Sequence, residues 1–295
     1  MTNMDTCWPT NFSRSDRRRF AALVQKACVR ERLNVSGEIP HLVTDAGAQI
    51  NLQNLLSECS CLPRHHWPEK VKLHFSILSS STRLMLEGPG ISPEVAEASL
   101  RIRLLPKAGL PDFCVTRPTL PGLEAALFMA RPGFGHGVLH DMLENWGIDV
   151  DTAFDRALDN TLDREPFDVL ERGDLFGLEG PSIYASTHAL RLGRQLSRPF
   201  VVGIPTRHFV VAAFVDPKGA AIGEALSQTV IHHSGSPGPT STAIWFVDPS
   251  TFGRWGEGAE PIGTRLRNGP KGELSFDIQP GPRLQSMLDP SAPST

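Results

Sequence analysis

No apolar run in this chain approaches the roughly 18 residues that a bilayer span requires, which predicts that no membrane is a partner. The N-terminal stretch MTNMDTCWPTNFSRSDRRRF has no apolar core ahead of a small-residue cleavage site, so no signal peptide is expected. The signatures of several chemistries are missing as well. There is no Gly-x-Ser-x-Gly elbow, no Walker loop and no His-Glu-x-x-His. Gly177-Leu178-Glu179-Gly180 is too short and too acidic to cradle a phosphate. Ser186 and His188 stand two apart, diverge on a helix, and make no local nucleophile–base pair. Cysteine is sparse: Cys7, Cys28, Cys59, Cys61 and Cys114, an odd number at irregular spacing. In a large chain this predicts reduced thiols and a cytoplasmic protein rather than a disulfide framework.

A strong charge of either sign is also lacking. The net charge is -3 and the isoelectric point near 6.4, which leaves no electrostatic footprint for a nucleic acid. Arg14, Arg17, Arg18 and Arg19 form one basic cluster, at the opening of a helix, and read as its solvated face. With 295 residues, 40% of them hydrophobic, the chain has enough apolar surface for one large domain or two modest ones.

The stretch 200–215 dominates what is present. Its two apolar runs, 200–204 and 209–215, are split by Pro205-Thr206-Arg207-His208. The second run has no polar residue, so period-2 alternation is absent and both faces must be covered; this predicts a central strand pair. Around it, helical spacing marks Phe20, Leu23, Val24, Ala27 and Cys28, then Leu52, Leu55, Leu56 and Cys59, then Val71, Phe75 and Leu78 up to a polar break at 79–82. Short strands are expected at 39–43, 84–86 and 100–105, the last half-exposed because Arg101 and Arg103 alternate with apolar residues. Gly147 stops a helix over 138–146, and Asp149 or Asp151 caps the next, whose inward residues are Phe154, Ala157, Leu158 and Leu162. The pattern predicts an α+β protein of largely antiparallel sheet packed with helices, in two halves. The prolines Pro106, Pro111, Pro118 and Pro121 place the boundary so that the halves are 1–110 and 111–279, with 280–295 a frayed tail.

Two clusters carry metal-ligand residue types. His136, His140 and Glu144 are spaced by four, one stripe of a continuous helix, and with a further ligand would bind zinc. Gly135 and Gly137 flank His136, however, and place the helix start after it. Cys59-Ser60-Cys61 lies close to His65-His66, but Cys59 belongs to an apolar stripe and Cys61 would point roughly 200° away from it. What remains is a polar group about the central pair: Asn160, Tyr184 (the only tyrosine), Ser186, Arg207 and His208. Arg207, beside a buried strand, needs an acceptor. A ligand would supply one, and so would Asp174 or Glu179, in which case the arginine only fixes a loop.

Arg19-Phe20-Ala21, Ile50-Asn51-Leu52-Gln53-Asn54-Leu55, Trp146-Gly147 with the helix after it, Tyr184-Ala185-Ser186 and Ile204-Pro205-Thr206-Arg207 follow one another in an order that resembles the YtpQ-like family of uncharacterised bacterial proteins. The resemblance runs from about residue 19 to about residue 250. It departs from the family at His208, where an acidic residue is usual, and at Asn160-Thr161-Leu162, where the family has an Asn-Leu pair. The resemblance implies a fold and a cytoplasmic setting but no activity. The function expected is a non-enzymatic binding or adaptor module for a protein or a small anionic ligand, without a cofactor. The alternative is a metal-dependent hydrolase built on His136, His140 and Glu144.

Overall fold

The computed structural model describes residues 8–45, 49–87, 91–107, 114–131, 134–216, 220–235, 238–268 and 274–289. The protein is α+β, and its sheets are antiparallel. It divides into the units Met1–Gly90 and Ile91–Thr295, not at the proline-rich segment near residue 110.

In the first unit, α1 (Arg14–Arg30) is capped by Ser13. The Ser13 side chain accepts from the Asp16 amide, and the Asp16 carboxylate accepts from the Ser13 amide. The meander β1 (Val35–Glu38), β2 (His41–Thr44) and β3 (Gln49–Asn51) follows. Pro40 divides the strand expected over 39–43 and forms part of the β1–β2 turn. Next come α2 (Gln53–Ser60), a 3-10 turn at Arg64–His66 and α3 (Trp67–Glu87). The α3 backbone runs straight through the polar break at 79–82 and the strand expected at 84–86. Neither stretch contains Pro or Gly, and a weak local preference yields to a helix already under way. The core is aromatic: Phe12 stacks on Trp67 at 4.9 Å, and Phe20 meets Trp67 edge-on.

In the second unit, α4 (Pro93–Ser99) leads into β4 (Leu100–Pro106), which pairs over its whole length with β6 (Leu123–Arg131). That pairing explains the displaced boundary, since the proline-rich segment is a crossover within one sheet. β5 (Thr116–Pro118) and β7 (Phe134–Gly137) pair with β6 along its other edge. α5 (His140–Trp146) ends at Gly147 in the left-handed conformation, and Asp149 caps α6 (Val150–Arg164). The outer edge of β4 is closed by hydroxyls rather than by a strand. The Ile102 amide donates to Thr161 Oγ1 at 2.8 Å, and the Ile102 carbonyl accepts from Thr187 Oγ1 at 2.9 Å. Arg101, expected on an exposed face, is buried and donates to Glu165 at 2.8 Å.

The remaining elements are β8 (Asp168–Arg172), β9 (Leu175–Glu179), a 3-10 turn (Ala185–His188), α7 (Ala189–Gln195), β10 (Phe200–Thr206), β11 (Phe209–Phe214), α8 (Ala220–Gly235), β12 (Ile244–Val247), β13 (Glu260–Asn268), β14 (Leu274–Gln279) and α9 (Pro282–Leu288). The sheet order is β14-β13-β12-β10-β11-β9-β8, so the pair expected to be central is central. All seven residues of β10 are buried. Val201, Val211 and Ala213 pack under Ile222, Ala225 and Leu226 of α8. Gly203 lets α8 approach: a Cβ there would lie 2.2 Å from Thr229 Oγ1. The expected tail is in part α9, with Leu284 fully buried in the same cluster; one apolar side chain anchors it. Residues 290–295, Pro111 and Cys7 lie outside the described residues.

Thr161→Val removes the acceptor of a buried amide at β4. It should lower the unfolding free energy by about 1–3 kcal/mol in urea titrations, whereas Thr161→Ser should stay near wild type. An equal loss in both variants would show that the hydroxyl does not carry this edge.

Candidate functional site

The β10–β11 turn is Arg207-His208, and neighbouring loops satisfy its backbone. The Ser186 amide donates to the Arg207 carbonyl at 3.1 Å, and the Gly180 amide to the His208 carbonyl at 3.0 Å. The Arg207 amide donates to the Gly238 carbonyl at 3.2 Å. A polar step between two buried strands is thereby held with every one of these groups paired.

The surroundings of His208 decide its tautomer. Nδ1 faces two carbonyls, Ser182 at 3.1 Å and Gly180 at 3.3 Å, which can only accept. Nδ1 therefore carries the proton, and Nε2 accepts from Arg207 Nε at 2.9 Å. Burial, and then the Arg207 guanidinium, hold the ring below its ordinary value and keep it neutral. His208 thus aims Arg207. Asp174, one alternative acceptor, lies instead 3.9 Å from Arg198.

Arg103 of β4 joins this group. Its guanidinium lies 5.6 Å from the centroid of the Phe128 ring, and Nε is shut off from solvent with no hydrogen-bond partner. Burial, and then the neighbouring Arg207 guanidinium, hold it down at about 10. Tyr184 meets the same Phe128 ring edge-on at 6.3 Å. It is 4% exposed, and its hydroxyl has no partner among the described residues. That hydroxyl lies against Gly135, where a Cβ would be 2.1 Å from it. Burial, and then the Glu165 carboxylate, push the phenol well above its ordinary value, against the pull of Arg103 and Arg101. Two cations, a hydroxyl donor and a neutral imidazole thus lie within electrostatic reach of one another. Such a set can hold an anion.

Of the residues anticipated from sequence, Tyr184, Arg207 and His208 belong here. Ser186 belongs through its amide; its Oγ is buried without a partner. Asn160 does not belong. Its Nδ2 donates to the carbonyls of Glu97 and Leu100 at 2.8 and 3.3 Å, which ties α6 to the α4–β4 corner. Arg103 was missed, because alternation along β4 reads as a solvent face. The signal available was a pair of arginines, Arg101 and Arg103, on one face of a strand.

The two metal clusters fall apart. His136 lies in β7, whereas α5 begins only at His140, so no helical stripe joins His136 to His140 and Glu144. His140 and Glu144 are exposed. Cys59 is buried, its thiol pushed up to about 12 chiefly by that burial, while Cys61 is exposed beyond the end of α2. His65 and His66 face each other at 4.0 Å. Among the described residues, no three His, Cys, Asp or Glu side chains are placed to hold a metal ion. No protein-family model, curated protein or solved structure matches the chain.

Burial holds His136, His188 and His208 below the ordinary imidazole value of 6.5. The unfolded chain therefore takes up protons, as the pH falls through that value, that the folded chain refuses. Stability is fully present above it and is lost below it, toward the folded values. Urea midpoints at about pH 7.5 and about pH 5.5, the latter still above the ordinary carboxylate range, should show lower stability at the lower pH. Equal midpoints would contradict the neutral, buried state of these rings.

Proposed function

We propose that this chain is a non-enzymatic binding module that takes an anionic group, a carboxylate or a phosphate, between Arg103, Arg207 and Tyr184. The observation that carries the reading is Arg103. Among the described residues its guanidinium makes no hydrogen bond and no ion pair, although its Nε is excluded from water. A charge so placed costs several kcal/mol until an opposite charge joins it. A neighbouring cation makes matters worse, since Arg207 lowers Arg103 further. An anion would offset the desolvation of Arg103 and its repulsion with Arg207 together, and would give the Tyr184 hydroxyl an acceptor.

Catalysis is less well supported. Both nitrogens of His208 are engaged, and His188 Nε2 is engaged by the Glu165 carbonyl at 2.9 Å. Neither ring sits as a base beside a nucleophile. Kinship with the YtpQ-like family and a cytoplasmic setting belong to the same proposal. The second is supported by the free thiols of Cys28, Cys59, Cys61 and Cys114. No helix among the described residues is long and apolar enough to cross a membrane.

The test uses inorganic phosphate and citrate as probes in thermal melting and calorimetry. Both should raise the melting temperature of the wild type. Arg103→Met should raise it by itself in anion-free buffer, by about 1 kcal/mol or more in stability, and should abolish the response to anions. Arg207→Lys keeps the charge but loses the planar fork, so it should fold normally and bind about tenfold more weakly. An Arg103→Met protein that is less stable and still responds to phosphate would sink the reading.

A further inference from the structure

The seven-stranded sheet ends at β8, and all five residues of that strand are exposed. Val169 is 52% and Leu170 50% exposed, high for apolar side chains in a strand. β8 pairs with β9, from Asp168 opposite Glu179 to Arg172 opposite Leu175, without a register shift. Among the described residues, no backbone hydrogen bond from another element reaches its outer edge. Asp168-Val169-Leu170-Glu171-Arg172 contains no Pro, no Lys and no bulge, so what guards this edge is its short length and its own charges.

This strand is complementary to itself. In an antiparallel pairing centred on Leu170, Asp168 of one copy faces Arg172 of the other, and the same contact recurs by symmetry. Asp168, Leu170 and Arg172 lie on one face, so the two ion pairs flank a Leu170–Leu170 contact. The chain itself leaves these residues poorly matched. Asp168 stands opposite Glu179, a like charge, and neither makes an ion pair among the described residues. Leu170 stands opposite Gly177, which offers no side chain. Across the open edge, a second copy supplies the cation to Asp168 and the apolar surface to Leu170.

We propose that β8 is a docking edge for a second copy of this chain, whose own β8 adds antiparallel about a two-fold axis at Leu170 and joins the two sheets into one. The occupant follows from the charge order, acidic at the start and basic at the end of the strand. A five-residue edge buries little area, so the dimer is concentration-dependent, with a dissociation constant in the micromolar range.

Sedimentation equilibrium of the full chain over about 1–200 µM reads this directly. The wild type should pass from monomer to dimer. Asp168→Arg and Arg172→Asp should each weaken the dimer roughly tenfold or more, because two attractive contacts become repulsive. The double variant restores opposite charges and should return to within about threefold of wild type. Far-UV circular dichroism should stay unchanged in all three, since β8 side chains are exposed. A wild type that stays monomeric throughout, single variants that dimerise as well as wild type, or a double variant that fails to recover would each overturn the proposal.

Discussion

Every residue of β10 is buried, and the same holds for the middle of its partner β11. Strands in that state need cover on both faces, and much of the second unit is that cover. α8 lies on one face, close enough at Gly203 to exclude a side chain. On the other, the turn Ala185–His188 reaches across toward β4 through Thr187, and Trp245 of β12 donates to the Pro121 carbonyl. The first of these contacts is buried and the second half-buried, so each is worth more than a surface contact would be. The tip of the hairpin has no such freedom. Its polar groups must be paired locally, and the loops at 180–186 and 238–240 do that with their own backbone.

The candidate site follows from the same arrangement. A neutral His208 can accept from Arg207 only while two carbonyls hold the proton on its other nitrogen. Those carbonyls, Gly180 and Ser182, come from a loop fixed by the hairpin. Arg103 reaches the site from a different sheet, and both it and Tyr184 border the Phe128 ring. Charge of one sign has therefore been gathered by packing that serves the core, and its repulsion is stored in the fold.

The sequence made the central pair legible because seven consecutive apolar residues admit few other readings. Helices with strong caps were legible for the same local reason: Asp149 and Gly147 mark their ends chemically. β1, β9 and β13 were not, since Val35-Ser36-Gly37-Glu38, a glycine within β9 and the charged run in β13 carry no clean alternation; pairing partners, not composition, make them strands. The domain boundary was misplaced because prolines mark an irregular chain, whether it joins domains or crosses over within a sheet. In the site, Arg207, His208 and Tyr184 stood out by abrupt contrast with their neighbours. Arg103 did not, because its company is supplied by residues about 80 to 100 positions away. Asn160 was drawn in by composition alone, and its partners turned out to be the carbonyls of a helix end.

Ile102 has its amide and its carbonyl both held by threonine hydroxyls, one from α6 and one from the turn before α7. An amide at a sheet edge would ordinarily exchange its hydrogen with solvent quickly, through small fluctuations of that edge. Here, freeing it requires α6 to lift away. The slow-exchanging unit of this region therefore extends past the hydrogen-bonded ladder of β4 and β6. It takes in segments some 60 and 85 residues distant in the chain, which open together or not at all.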